Sequence, residues 1–177
     1  MEERDIQKEL FNLADKGDAP SVKKAKRIIE QAKLHPDKFR HALTNNTLFL
    51  HACSKGNRNF AELLREKGAD PNETNNQERD GLILAILNRH FEYANHLLNE
   101  VPNLDLTKRD KFNKSAFKYV EEHLSKLEKD KARIKAKVKP SVSMIRKISS
   151  FEKEGISELD RIEQEEALLK SLSKKLE

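Results

Sequence analysis

Six histidines (His35, His41, His51, His90, His96 and His123), the single Cys53 and the acid pairs Glu121-Glu122 and Glu165-Glu166 are the side chains that could ligate a metal, attack a substrate or move a proton. Zinc takes Cys or His ligands at short, paired spacings. These histidines are scattered singly and one cysteine cannot complete a set, so no metal site is expected. Nucleophilic chemistry would need Cys53 as a thiolate in a polar, accessible setting. Cys53 instead follows Ala52 in a small-residue slot of a helical pattern, which predicts a buried structural thiol. No G-x-S-x-G, phosphate loop or G-x-G-x-x-G occurs. The acid pairs fall on charged helical runs that read as solvated surface. The sequence therefore predicts no enzyme, no cofactor and no small-molecule substrate.

The elements around those residues point to display of a surface. Of 177 residues only 36% are hydrophobic, 37% are charged and none is tryptophan. That is thin material for one large core but enough for a solenoid, whose repeats bury apolar faces against neighbours. A lone cysteine rules out an internal disulfide and fits a reducing compartment. The first residues, Met1-Glu2-Glu3-Arg4-Asp5, lack the apolar stretch of a secretory signal. The longest apolar run, residues 82–87, is far short of the roughly 20 residues a membrane span needs. A soluble, cytoplasmic, all-α protein is expected.

Residues 47–72 read as two short helices and a turn. Leu48, Ala52 and Cys53 mark the first helix, over residues 48–55. Gly56 suits the left-handed turn that ends it. Phe60, Ala61, Leu63 and Leu64 mark the second, over residues 59–67. Gly68-Ala69-Asp70-Pro71-Asn72 opens the loop that follows. A shift of 33 residues brings Ala52-Cys53 onto Ala85-Ile86, Phe60-Ala61 onto Tyr93-Ala94, and Leu64 onto Leu97.

This pattern resembles the ankyrin repeat, whose period is 33 residues. Repeats fall at residues 47–72 and 80–105, with a partial one at 110–122 and a degenerate first one at 10–43. The second departs from the family: Asp80-Gly81 replaces Thr-Pro, Arg89 replaces the inter-helix glycine, and Val101-Pro102-Asn103-Leu104-Asp105 replaces the closing turn. Asn113 stands for a glycine, a mild change because asparagine tolerates the left-handed region. The resemblance implies a short helical solenoid over residues 1–122 that binds a partner protein on its concave face of loop tips and inner helices. On this chain those positions are Leu48, His51 and Lys55, then Leu84, Leu87 and Asn88, with loop tips at residues 73–79, including Arg79, and 108–111, including Lys108, Arg109 and Lys111.

Residues 123–177 follow another rule. Phe117, Val120, Leu124, Leu127, Lys131, Ile134 and Val138 form a heptad broken only by Lys131, and Pro140-Ser141 closes it. A second helical run carries Ile145, Ile148, Leu159, Ile162, Leu169 and Leu176, with Gly155 a candidate break. Residues 126–147 carry nine bases against two acids, and residues 152–166 seven acids against two bases. Opposite charges on a short connection predict a C-terminal hairpin or cap in a monomeric chain. An intermolecular coiled coil is the alternative.

Three other functional readings arise. The basic 126–147 helix could bind nucleic acid or an anionic membrane, although it has no aromatic platform between Tyr119 and Phe151. The basic helix before His35-Pro36-Asp37 resembles the second helix and tripeptide of J-domain cochaperones, which engage Hsp70 partners. In the plainer reading His35 ends one helix and Pro36 starts the next. The tail, with Glu163, Glu165 and Glu166 before LLKSLSKKLE, resembles the glutamate-rich signal of type IV-secreted bacterial effectors, which implies export into a host cell without a cleaved leader.

Overall fold

The computed structural model describes residues 2–137 and 150–176, and every regular element among them is helical. The helices are α1 (Glu3–Lys16), α2 (Ala19–Gln31), α3 (Leu48–Lys55), α4 (Arg58–Glu66), α5 (Gly81–Leu87), α6 (Phe91–Glu100), α7 (Ala116–Lys137) and α8 (Ser150–Leu176), with a 3-10 turn at Pro36–Lys38. The chain divides into two compact units, Met1–Ala116 and Phe117–Glu177.

In the first unit the helices come in pairs. α3 packs against α1, α4 and α5, while α1 packs on α2, α2 on α4, and α5 on α6. The buried stripes explain the pairing: Leu10 and Ala14 on α1, Ala25 and Ile29 on α2, Leu48, Leu50, Ala52 and Cys53 on α3, and Phe60, Ala61 and Leu64 on α4. Fully burying a side chain such as Phe60 or Leu64 stabilises the fold by about 1.5–3 kcal/mol. Cys53 is fully buried, its Sγ lies 3.7 Å from the Tyr93 hydroxyl, and burial pushes the thiol well above its ordinary pKa.

Local chemistry sets the helix ends. The Thr47 hydroxyl accepts a hydrogen bond from the Leu50 N–H at 3.2 Å, and Asp80 takes the same role for the Ile83 N–H at 2.8 Å. Asp18 caps α2 through the Ser21 N–H, with Pro20 in the first turn. Left-handed residues at Gly17 (φ +61°), Gly56 (φ +69°) and Arg89 (φ +64°) end α1, separate α3 from α4, and separate α5 from α6. The loss of glycine at Arg89 thus leaves the turn geometry intact.

His35-Pro36-Asp37 stands 33 residues before Gly68-Ala69-Asp70 and forms the matching turn of the first repeat. α2 ends at Gln31, so His35 caps the 3-10 turn instead of ending a helix. Asp37 Oδ2 accepts the Asp70 N–H at 2.9 Å, and one repeat later Asn72 Oδ1 accepts the Asp105 N–H at 2.8 Å. Asp37 Oδ1 is buried without a hydrogen-bond partner, and burial raises the carboxyl above its ordinary pKa. The tripeptide is thereby engaged in joining repeats.

In the second unit α7 runs unbroken to Lys137 and α8 runs unbroken through Gly155, which does not divide it. Leu127 on α7 and Ile162, Leu169 and Leu172 on α8 are buried. Lys131, the break in the heptad, reaches Glu163 at 3.1 Å and Glu166 at 2.9 Å, so opposite charges join α7 to α8. Lys170 and Lys131 hold the Glu166 carboxyl down at about 2. Val138, Lys139, Pro140, Ser141, Ile145, Ile148 and Lys147, which carried the expected helix stop and the end of the basic tract, lie outside the described residues.

Candidate protein-binding face

The loops between repeats reverse direction at three tips, residues 41–46, 75–79 and 110–114. Each closes on a backbone hydrogen bond: His41 N–H to Asn46 O at 2.8 Å, Asn75 N–H to Arg79 O at 3.1 Å, and Asp110 N–H to Lys114 O at 3.0 Å. Each contains one left-handed residue: Asn45 (φ +57°), Glu78 (φ +60°) and Asn113 (φ +57°). Buried Asn75 accepts from the Gln77 and Arg79 N–H groups, and buried Asp110 accepts from those of Phe112 and Lys114. The two side chains do the same work, satisfying amides that a tight turn would leave bare.

Neighbouring tips are joined. The Asn76 N–H donates to Thr44 O at 3.2 Å, and the Lys111 N–H to Gln77 O at 3.0 Å. Side chains add Asn75 Nδ2 to Asn46 Oδ1 at 2.9 Å, Arg40 to Glu73 at 2.5 Å, and Arg79 Nε to Asp110 Oδ2 at 3.0 Å. The tips therefore stand as a fixed row. A surface fixed before binding loses less entropy when a partner docks.

Beside the row lies the exposed side of α1 and α3. His51 Nε2 sits 2.9 Å from Asp15 Oδ1, which also meets Lys55 Nζ at 3.1 Å. The His51 ring meets Phe11 edge-on at 5.2 Å and stacks on His41 at 5.9 Å. Burial lowers the His51 pKa below the usual histidine range, and Asp15 opposes that shift. An open groove of about 490 Å³ runs here, lined by Arg4, Gln7, Phe11, Asp15, His41 and His51 among others.

Paired helices, 33-residue steps and hydrogen-bonded tips agree with comparison to known proteins. A family model described as ankyrin repeats (3 copies) matches residues 10–110. The chain belongs to the ankyrin repeat family. A chain in the crystal structure of the yeast ribosomal protein Rps3 in complex with its chaperone Yar1 has a similar fold, with a TM-score of 0.57 and 19% identity. That match covers 69% of this chain and 86% of the other. No curated protein matches the sequence.

The ankyrin face gathers some of the expected residues and sets others aside. Asn88, Arg109 and Lys111 are exposed, and Leu87 is half-buried. Asn88 turns its amide to Leu84 O at 2.8 Å, and Arg109 reaches Asn113 O at 3.2 Å. Lys108 donates to Asn72 O, tying its loop to the preceding turn. His51 and Lys55 both lean on Asp15, and Arg79 is drawn to Asp110. Leu84 and Leu48 are only 7% and 1% exposed, so they fill the core and offer a partner little surface. The periodicity could not show this for Leu84, because residues 82–87 are apolar all round. Among the described residues Leu43, Leu106 and Phe112 are the exposed large apolar side chains, at 82%, 38% and 62%. All three lie in inter-repeat loops, and their signal in sequence was an apolar residue set among turn formers and bases.

No helix among the described residues is long and apolar enough to cross a membrane, and no cluster of three or more His, Cys, Asp or Glu could hold a metal ion.

Proposed function

We propose that this ankyrin repeat protein binds another protein on the face made by its loop tips and the adjoining side of the inner helices, using His51, Lys55, Arg79, Leu87, Asn88, Lys108, Arg109 and Lys111, with Leu84 supporting from beneath. The observation that carries the reading is the row of three tips joined by hydrogen bonds, with Leu43 and Phe112 projecting from it. The fold neighbour comes from a crystal structure of a ribosomal protein in complex with its chaperone, which is consistent with such a role. The test is affinity capture followed by mass spectrometry with the parent chain and with Asn88→Ala/Arg109→Ala/Lys111→Ala, three exposed positions. Loss of captured partners is expected. Retention of every partner would remove the assignment.

A narrower proposal rests on the tail sequence alone: delivery of the module into a host cell. Glu163→Gln/Glu165→Gln leaves the Glu166 ion pairs in place and should lower transfer in a translocation reporter assay. Unchanged transfer would refute it.

A further inference from the structure

The three tips differ in chemistry, and the third is the most distinctive. Residues 105–114 carry Lys108, Arg109, Lys111 and Lys114 against Asp105 and Asp110. Both acids are already occupied. Asp110 is buried, with Oδ2 on Arg79 and Oδ1 on two backbone amides. Asp105 accepts from the Thr107 N–H at 3.0 Å and the Thr107 hydroxyl at 2.7 Å, bonds that hold its pKa down. Arg109 and Lys111 have no carboxylate partner among the described residues. The positive charge of this tip is therefore directed outward.

An aromatic ring stands among those cations. Phe112 is 62% exposed, and the Arg79 guanidinium lies 5.4 Å from its centroid on one side. The ring is not loose, because Asp110 holds both the Phe112 N–H and the Arg79 side chain. A fixed, half-open aromatic is the kind of anchor on which binding energy concentrates. Leu43 and Leu106 extend the apolar character along the same loops. Single exposed apolar residues are ordinary. Phe112 differs in following Arg109 and Lys111, cations without carboxylate partners, and with them forms a mixed surface with a defined complement.

We infer that the third loop is the specificity end of the face and docks an acidic segment of a partner protein that carries a bulky apolar side chain against Phe112. This rests on the protein-binding reading above. The apolar side chain covers the open side of the ring, and its flanking Asp or Glu residues meet Arg109 and Lys111. Such a surface rejects basic partners by like-charge repulsion.

A random 12-residue peptide library displayed on phage and panned on the full chain tests it. Enriched peptides should carry Asp or Glu within about two residues of Phe, Leu, Ile or Trp. By fluorescence anisotropy, a synthetic winner should bind Lys111→Glu/Phe112→Ser roughly tenfold or more weakly, and Lys23→Glu/Lys26→Glu on α2 as well as the parent. Neutral or basic winners, absence of enrichment over an unrelated bait, or equal binding to the loop variant would each overturn it. So would tighter, loop-dependent binding of a single-stranded 12-nucleotide DNA. A captured partner lost with Asn88→Ala but indifferent to Lys111→Glu/Phe112→Ser overturns this inference and leaves the face standing. Partners indifferent to both remove the face as well.

Discussion

The repeat at residues 47–72 and its neighbour at residues 80–105 build the same pair of helices on different turn chemistry. The first uses Thr47 as its cap and Gly56 between its helices, whereas the second uses Asp80 and Arg89. The backbone barely registers the exchange: φ is +69° at Gly56 and +64° at Arg89. A side-chain-bearing residue in this region costs about 1–2 kcal/mol. The buried stripes of α5 and α6 outweigh that, with Ile83, Ile86 and Leu97 fully buried. Helix packing dictates the turn here, and the turn residue only decides how much strain the repeat carries.

The two turns differ most at Gly56. A Cβ there would lie 2.6 Å from His90 Nδ1 as well as in the left-handed region. Gly56→Ala should cost about 2–4 kcal/mol by urea unfolding. A loss under 1 kcal/mol would mean that the two turns are interchangeable after all.

The caps differ in charge, which gives a pH test. Burial pushes the Asp80 carboxyl from an ordinary 3.8 up to about 6. Between those values the folded chain keeps a proton that the unfolded chain releases. Stability from this site is therefore highest below pH 4, falls as pH rises through 4 to 6, and stays low above. Asp80→Asn keeps an acceptor for the Ile83 N–H without the charge. It should flatten the difference between pH 4 and pH 7 and add about 1–3 kcal/mol at pH 7. Equal or lower stability of the variant at pH 7 would contradict the shift.

The neutral cap offers the control. Thr47→Ala should cost about 1 kcal/mol, with no pH dependence beyond that of the parent. A pH-dependent loss would place the titrating group elsewhere. The smallest effect belongs to Arg89→Gly, which should raise the urea midpoint by the equivalent of about 0.5–1 kcal/mol through relief of strain, part of it returned as unfolded-state entropy. Destabilisation would show that the Arg89 side chain stabilises more than its backbone strains.

What the sequence made legible was local. The Gly56 stop and the bounds Leu48–Lys55 follow from residues within one turn of each other, and Asn113 adopts the left-handed φ its type suggested, whereas the Thr47 cap emerged only in the structure. Illegible were interactions that join residues about one repeat apart. Asp110 opens the partial repeat at 110–122, and nothing nearby announced that it would be buried against Arg79 from the previous loop. His35-Pro36-Asp37 taken locally resembles a cochaperone motif, while at 33-residue spacing it is one more repeat turn. Lys131 looked like a flaw in a heptad, and its meaning lay in Glu163 and Glu166, more than 30 residues away.

The central place of α3 has a consequence for how the chain assembles. It packs on α1, α4 and α5; α4 follows it almost at once and α1 and α5 lie within about one repeat, so the α3–α4 pair loses the least loop entropy on meeting. Folding should start at α3 and α4 and spread outward, with the ends closing last. Amide exchange should accordingly be slowest in Leu48–Lys55 and Arg58–Glu66 and fastest in α1. Uniform protection across the first unit would instead mark it as a single cooperative block.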